Sequence, residues 1–566
     1  MADEVAVPVR EAAPSSTAPS IGKVDGQGAP AAPETAPEIT YPSGLKLTII
    51  VGGLLLSMFL VALDVSIIAT AIPKITSQFH SMADVGWYGS AFFLTLAAFQ
   101  SFWGKAYSYY SLRLVFMSAV VVFLVGSLVA ALAPNSNALI VGRAIQGAGG
   151  SGITAGCYTI AAFLVPPHRV NIIIGLLGST FSLSSVVGPL LGGAFTQTVT
   201  WRWIFYINLP IGGLALFSLL FFKPPPHSRN DATMGFKETI LSFDPPGIII
   251  LLGSLVSFFL ALQWAGTVKP WNSATVIALI VVWGILTIFW VVIEWLQKDR
   301  ALMSPHILSN RHLAACCVFI FFLSSANFSL IYNIPIYFQA VKGSTPLISG
   351  VMTIPTILST SIATFLASAF VGKVGFYQPF LVTGAVLSTV GAGLIYTWDI
   401  NTGLGPIIGY QIVYGVGTGV SVQVPVIVAG VVSAGSDKAI ATATVLFFQF
   451  VSAAYGVGAT DAILNNLLLS SLPRYLPGQD PQAVLNLGSS SLQANFQGDQ
   501  LLGARKAYVE GLHGSWALAI ALFGVAFLAS LVPKSGGRMA APSGSDNEKQ
   551  QDSDENMIAA NAAEKA

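Results

Sequence analysis

Residues 46–73 read KLTIIVGGLLLSMFLVALDVSIIATAIP, and between Lys46 and Asp64 every side chain except Thr48 and Ser57 is apolar or glycine. A run of this length matches the roughly 20 helical residues that cross a hydrocarbon core of about 30 Å. Asp64 therefore sits deep in a membrane-crossing helix. A carboxylate there costs several kcal/mol if it is ionised and unpaired. Two readings stand: an acid that exchanges a proton or binds cargo when water reaches it, or a structural acid hydrogen-bonded to a neighbouring helix.

The rest of the chain repeats the first run. The 566 residues are 54% hydrophobic and 9% charged, against roughly a quarter charged in soluble domains. Continuous apolar runs exclude a closed barrel, whose strands alternate over about ten residues. Hydropathy and helix breakers place spans near 46–72, 87–107, 112–132, 138–163, 171–195, 203–222, 245–264, 273–296, 312–338, 347–371, 377–397, 406–430, 440–464 and 514–533. The expected fold is an all-α polytopic membrane protein with fourteen transmembrane helices.

An even count puts both tails on one side. With those tails cytoplasmic, the inner short loops hold Lys105, Arg113, Arg169, Lys223, Arg229, Lys237, Lys298, Arg300, Arg311, Lys373 and Lys438, and the outer ones only Lys74, Arg202, Lys269 and Lys342. That asymmetry is what the positive-inside rule demands. Trp87, Trp201, Trp203, Trp271, Trp398 and Trp516 fall near span ends, as an interfacial aromatic belt requires. Net charge is +1, which offers nothing to nucleic acid. Cys157, Cys316 and Cys317 all lie in apolar runs, so neither a disulfide framework nor a thiolate metal site is expected.

Landmarks recur in order along the chain. Ala71-Ile72-Pro73 is matched by Asn333-Ile334-Pro335, Gly104-Lys105 by Gly372-Lys373, and the glycine cluster at 142–152 by Gly415, Gly417 and Gly419. Two equivalent six-helix bundles are expected, at 46–222 and 312–533, separated by a linker at 223–311 that carries two inserted helices. The first 45 residues and residues 534–566 read as disordered cytoplasmic tails, and 465–513 as an extracellular loop. Such a two-bundle plan places a binding site at the bundle interface.

Further residues fall into place on that plan. Arg143 cannot lose its charge inside a span, so it either pairs with an acid, carbonyls or water, or snorkels to the interface. Gln146, Asn327, Tyr332, Asn333, Gln423 and Gln449 are candidates for the lining of a central cavity, or for hydrogen bonding between helices. Asp461 is a lesser candidate for coupling near the outer end of its span, and Glu294 reads as an ordinary helix pair with Lys298. Residues 147–152, GAGGSG, fit a dinucleotide-binding pattern by letter only: no strand precedes them, and small residues in a span serve close helix approach. Gly188-Pro189-Leu190-Leu191-Gly192-Gly193 predicts a kinked helix with a flat face at a bundle interface. No phosphate loop, nucleophile-and-base set or metal-ligand spacing of the six histidines is present, so no enzyme, cofactor or metal is expected.

These motifs resemble the major facilitator superfamily, specifically its fourteen-span drug:proton antiporters and most closely fungal toxin and multidrug efflux pumps. Residues 63–73 resemble the first-helix acidic motif. Residues 142–150 resemble the fourth-helix motif, whose arginine the family implicates in proton transfer. Residues 184–193 resemble the antiporter motif, and 201–210, WRWIFYINLP, the start of the sixth helix. The loop between the second and third helices departs from the pattern: Gly104 and Arg113 remain, but Ser108 replaces the usual acid.

The resemblance implies a monomeric plasma-membrane exporter, with a vacuolar address as the alternative. Protons moving in would drive small, largely apolar organic molecules out, with Asp64 binding the proton and Arg143 relaying it. Gly104, Arg113, Gly188, Pro189, Gly192 and Gly193 would serve the conformational change. The rival on the same fold is a proton symporter or facilitator for a nutrient or iron chelate.

Overall fold

The computed structural model describes residues 41–533 apart from 80–83, 223–242, 298–300, 304, 434–436 and 490. Lys223, Arg229, Lys237, Lys298 and Arg300 of the basic loops lie outside the described residues, as do both tails apart from 41–45. The helices that matter below are α1 (Gly44–Ile67), α2 (Ile72–Phe79), α3 (Val85–Ala98), α4 (Gln100–Tyr109), α5 (Leu112–Ala131), α6 (Ser136–Leu164), α7 (Pro167–Thr198), α8 (Trp203–Tyr206) and α9 (Asn208–Leu219). They continue as α10 (Pro245–Trp264), α11 (Ala274–Gln297), α12 (Arg311–Ala340), α13 (Pro346–Met352), α14 (Ile354–Val374), α15 (Gln378–Tyr396), α16 (Leu404–Val422), α17 (Val424–Val432), α18 (Asp437–Tyr475) and α19 (Gly498–Ser530).

Among the described residues, eleven helical stretches are long and apolar enough to cross a membrane, and the stretch Trp203–Leu219 is apolar but shorter. All fourteen runs expected from hydropathy lie on helix for most of their length. Helices α1 to α9 pack principally on one another, as do α12 to α19, while α10 and α11 pair with each other. Two seams join the two large sets: α3 and α4 against α18, and α7 against α14.

Glycine decides how closely the helices approach. A Cβ at Gly149 would lie 2.3 Å from the backbone nitrogen of Phe123 on α5, and one at Gly147 would lie 2.2 Å from the Phe92 carbonyl oxygen on α3. Helix α6 therefore touches two neighbours backbone to backbone, as the small residues at 147–152 predict. The rings of Trp103 and Tyr107 fill the remaining grooves and donate to the carbonyls of Ala148 and Gly152.

Some features of the helical framework go beyond the sequence reading. The segment 465–513 is largely helical, because α18 runs on to Tyr475 and α19 starts at Gly498. The two helices stay zipped beyond the apolar zone where Gly503 meets the Tyr475 carbonyl and Gly511 the Leu464 carbonyl, and the Ser515 hydroxyl donates to Thr460. Trp398 and Trp516 are fully buried around Tyr337 and Trp201 is buried against Phe79, so none of the three forms an interfacial belt, whereas Trp203 and Trp271 are about half exposed. Gly188 faces Ser66 on α1, and Gly192 faces the Ile67 carbonyl at the end of α1 and Thr70 just beyond it, so their flat face serves packing among α1 to α9. Of that motif, Pro189 reaches the second set, at Gly350.

Outside the spans, the Lys342 ammonium donates to the carbonyls of Ile400 (2.6 Å) and Thr402 (2.7 Å) and ties two loops together. Partial burial there lowers the lysine from its ordinary range.

Replacing Gly149 by valine should destabilise the protein by about 1–3 kcal/mol through overpacking against Phe123. Gly213 faces open space on α9, so Gly213→Ala should be neutral or stabilise by about 0.5–1 kcal/mol. Thermal unfolding of the two purified variants in detergent separates these outcomes.

Candidate functional site

The residue that opened the sequence reading stands at the centre of a buried polar cluster. Asp64 is completely buried on α1, and Arg143 of α6, at 1% exposure, forms an ion pair with its carboxylate through Nη1. The other carboxylate oxygen accepts from Gln146 Nε2 at 3.0 Å and from Asn208 Nδ2 at 3.3 Å. Arg143 Nε donates to the Tyr88 carbonyl at 2.9 Å, and Nη1 also donates to Gln146 Oε1 at 3.0 Å. Asn208 Nδ2 donates as well to Ser127 Oγ, whose hydroxyl donates to the Phe205 carbonyl.

Each neighbouring element contributes for a local reason. Gly142 and Gly147 let α6 close on α5 and α3, which brings Arg143 and Gln146, three residues apart on one face, toward α1. The Phe92 ring lies 4.6 Å from the guanidinium carbon and the Phe205 ring 5.9 Å from it. Arginine faces such rings well because its charge is planar, delocalised and weakly hydrated. Breaking a buried pair by removing one partner costs about 3–5 kcal/mol, so each charge of the cluster depends on the other and on the polar groups around it.

Arg143 does not snorkel. Gln146 belongs to the ionic cluster instead of a substrate cavity, because its amide is consumed by Asp64 and Arg143. Asn208 and Ser127 were absent from the candidates. Asn208 sits inside the quoted stretch 201–210, but an amide near the end of an apolar run carries no local mark of its partner across the fold.

The remaining candidates scatter. Tyr332 is half-buried with its ring 6.4 Å from Phe93 across the seam, and it lies within Coulombic range of both Asp461 and Arg143. Asn327, one turn away on α12, accepts from the Tyr414 hydroxyl at 2.7 Å. Asn333 is fully buried, and neither amide atom has a hydrogen-bond partner. Gln449 and Asp461 are half-buried on α18. Gln423 is buried in the α7 seam, donating to the Tyr158 hydroxyl at 3.1 Å beside Gly178. It packs the two sets together.

Of the conformational candidates, Gly104 lies on a seam. Gly104 would bring a Cβ within 2.3 Å of Ala443 on α18. On the other seam Ser179 donates to the Ser361 carbonyl at 2.8 Å, and Gly175 meets Ser368. Arg113 is half-exposed at the start of α5, and Gly193 faces open space. Glu294 is buried at 8% exposure, contrary to a solvent-facing helix pair; Lys298 lies outside the described residues.

An unpaired guanidinium cannot shed its charge, whereas an unpaired carboxylate neutralises by taking a proton. Asp64→Leu should therefore destabilise more than Arg143→Met, by about 3–5 kcal/mol against a smaller loss. The double variant Asp64→Leu/Arg143→Met should recover part of that loss. Unfolding midpoints of the three variants in detergent provide the check.

Comparison with known proteins agrees with this architecture. The Major Facilitator Superfamily profile matches residues 54–459. The MFS-type efflux pump MFS1 of Arthroderma benhamiae is 40% identical over 493 residues, covering 87% of this chain and 92% of that protein. The efflux pump notK of an Aspergillus species is 41% identical over 493 residues, covering 87% of each. Among solved structures, a bacterial homologue of the human lysosomal transporter Spinster superposes with a TM-score of 0.56 at 14% identity, over 88% of this chain and all of that one. The proton:xylose symporter XylE gives 0.53 at 15% identity over 87% of this chain and 98% of its own. With the family profile spanning most of the helical region, the chain belongs to the Major Facilitator Superfamily and is a multi-pass membrane transporter.

Proposed function

We propose that this transporter exports small, largely apolar organic compounds, such as a toxin, secondary metabolite or drug, in exchange for protons. The observation that carries the reading is the buried Asp64–Arg143 pair with Gln146 and Asn208 around it. A carboxylate that is fully desolvated and balanced by one cation is a two-state element: adding a proton removes the charge that holds Arg143. The guanidinium then retains the Tyr88 carbonyl and Gln146 Oε1 as acceptors. Relatives named as efflux pumps over nearly the whole chain support the outward direction.

In this scheme two six-helix bundles, 46–222 and 312–533, rock about the seams to expose a central site alternately to each side. Phe93, Phe328 and Tyr332 meet edge to face between the bundles and would offer an apolar surface to cargo, with few charges to restrict it. The driving force is sufficient, since a membrane potential is worth about 2.3 kcal/mol per charge per 100 mV, more than a tenfold gradient per proton. The transporter works as a monomer, with its tails cytoplasmic, in the plasma membrane.

Asp64→Asn, reconstituted in proteoliposomes with an imposed pH gradient and a lipophilic fluorescent dye, should remain folded and lose gradient-driven dye movement. Wild-type rates in that variant would refute the coupling role. Dye movement with the proton flow, instead of against it, would make the protein a symporter.

A further inference from the structure

Three charged side chains are buried together away from the Asp64 cluster. Lys105 on α4 is 2% exposed, Asp244 at the start of α10 is 1% exposed, and Glu294 near the end of α11 is 8% exposed. Glu294 and Asp244 both act electrostatically on the Lys105 ammonium, and the two acids act on each other. Buried charges of this kind persist only when they are compensated.

The acids are held in place by the chain around them. Asp244 adopts a left-handed backbone (φ 48°), the one non-glycine residue to do so among those described, and its Oδ1 caps the Gly247 amide at 3.0 Å. The same oxygen accepts from Gln297 Nε2 at 2.7 Å, which fastens the start of α10 to the end of α11. Glu294 Oε2 accepts from the Met303 amide at 2.9 Å. The second oxygen of each acid, Asp244 Oδ2 and Glu294 Oε1, is buried with no donor group from the rest of the described chain against it, and the two carboxyls lie within hydrogen-bonding reach of each other. A non-glycine residue in the left-handed region and two acids buried face to face are costs that packing alone does not explain.

The position of the cluster supplies the reason. Helix α4 closes on α18 one residue away from Lys105, where Gly104 meets Ala443. The inserted helices grip both sides of that seam. Phe243, next to Asp244, packs its ring 4.8 Å from Phe102 and 6.4 Å from Tyr110 on the α4 side. On the α18 side Trp290 stacks on Phe447 at 5.7 Å, and Phe258 meets Tyr455 at 4.5 Å.

We propose that Lys105, Asp244 and Glu294 form an ionic latch through which the two inserted helices clamp α4 against α18 and hold this end of the transporter closed. Parting α4 from α18 must pull the Lys105 ammonium from its carboxylates or tear the inserted helices from α18. The first route is compensated only once water enters the seam. The latch thus opposes partial opening and gives way to full opening. Its residues touch no cargo; they act as positioning residues.

The inference rests on the alternating exposure proposed above, and its test needs no substrate or proton gradient. Ser108, buried one turn beyond Gly104 on the same face of α4, is changed to cysteine in a background where Cys157, Cys316 and Cys317 are alanine. Maleimide labelling of the purified full chain in nanodiscs then reports opening of the seam. Glu294→Gln and Lys105→Met should each raise the labelling rate roughly fivefold or more, and the exchange Lys105→Glu/Glu294→Lys should return it toward the parent rate. Unchanged labelling in either folded single variant, or an exchange that labels as fast as the single variants, overturns the latch. If the single variants fail to fold, an exchange that restores folding supports the pairing and an exchange that does not overturns it. Wild-type gradient-driven dye movement in Asp64→Asn with this labelling pattern intact would sink the proton-coupling reading and leave the latch standing.

Discussion

A guanidinium that cannot be neutralised lies almost wholly out of reach of water beside Asp64, and the arrangement of α1, α3, α5, α6 and α9 follows from keeping it compensated. Five elements supply atoms: the Asp64 carboxylate, the Tyr88 carbonyl, Ser127, Gln146 and Asn208. In hydrocarbon no solvent replaces a missing partner, so these helices are tied together by electrostatics as much as by packing. The same dependence is what the proposed coupling uses: a change at Asp64 alters what Arg143 requires of every neighbour.

Such a cluster needs helices close enough for short side chains to reach, and glycine provides the proximity. Gly126, Gly142, Gly147 and Gly149 sit where a Cβ would fall within 2.6 Å of a neighbouring backbone atom. Dispersion between closely apposed helices replaces the hydrophobic drive that lipid cannot supply. The seams between the two large sets reuse the device at Gly104, Gly175 and Gly178, but there the partners across the gap are mostly side chains of Ala443, Ser368 and Gln423. Contacts of that sort part without unpicking a helix, which suits the alternating exposure proposed above.

The inserted helices occupy a different niche. Helix α11 exposes Ile277, Ile285, Ile288, Phe289 and Trp295, so most of its surface is left for lipid, yet it carries Glu294 inward at one end. Together with Asp244 it brings two acids to Lys105 beside the α4 seam, on the same helix as Ser108. Those acids come from elements placed far along the chain.

The helical membrane fold was legible in the sequence because hydrocarbon imposes it locally: a run such as 46–73 has no alternative to helix, and its length follows from bilayer thickness. Asp64 and Arg143 were legible for the same reason, since each is conspicuous against an apolar background without reference to any other residue. Their pairing was not, because 79 positions separate them and only the approach of α6 to α1 makes them neighbours. Tertiary structure alone drew Gln146 and Asn208 into the ionic cluster, moved Gln423 from a cavity to a seam and buried Trp398 and Trp516. It also extended α18 and α19 past the apolar zone and turned Glu294 inward. Hydropathy records each residue's preference for oil or water, whereas these outcomes depend on which face of which helix meets another, a relation that exists only once the helices have packed.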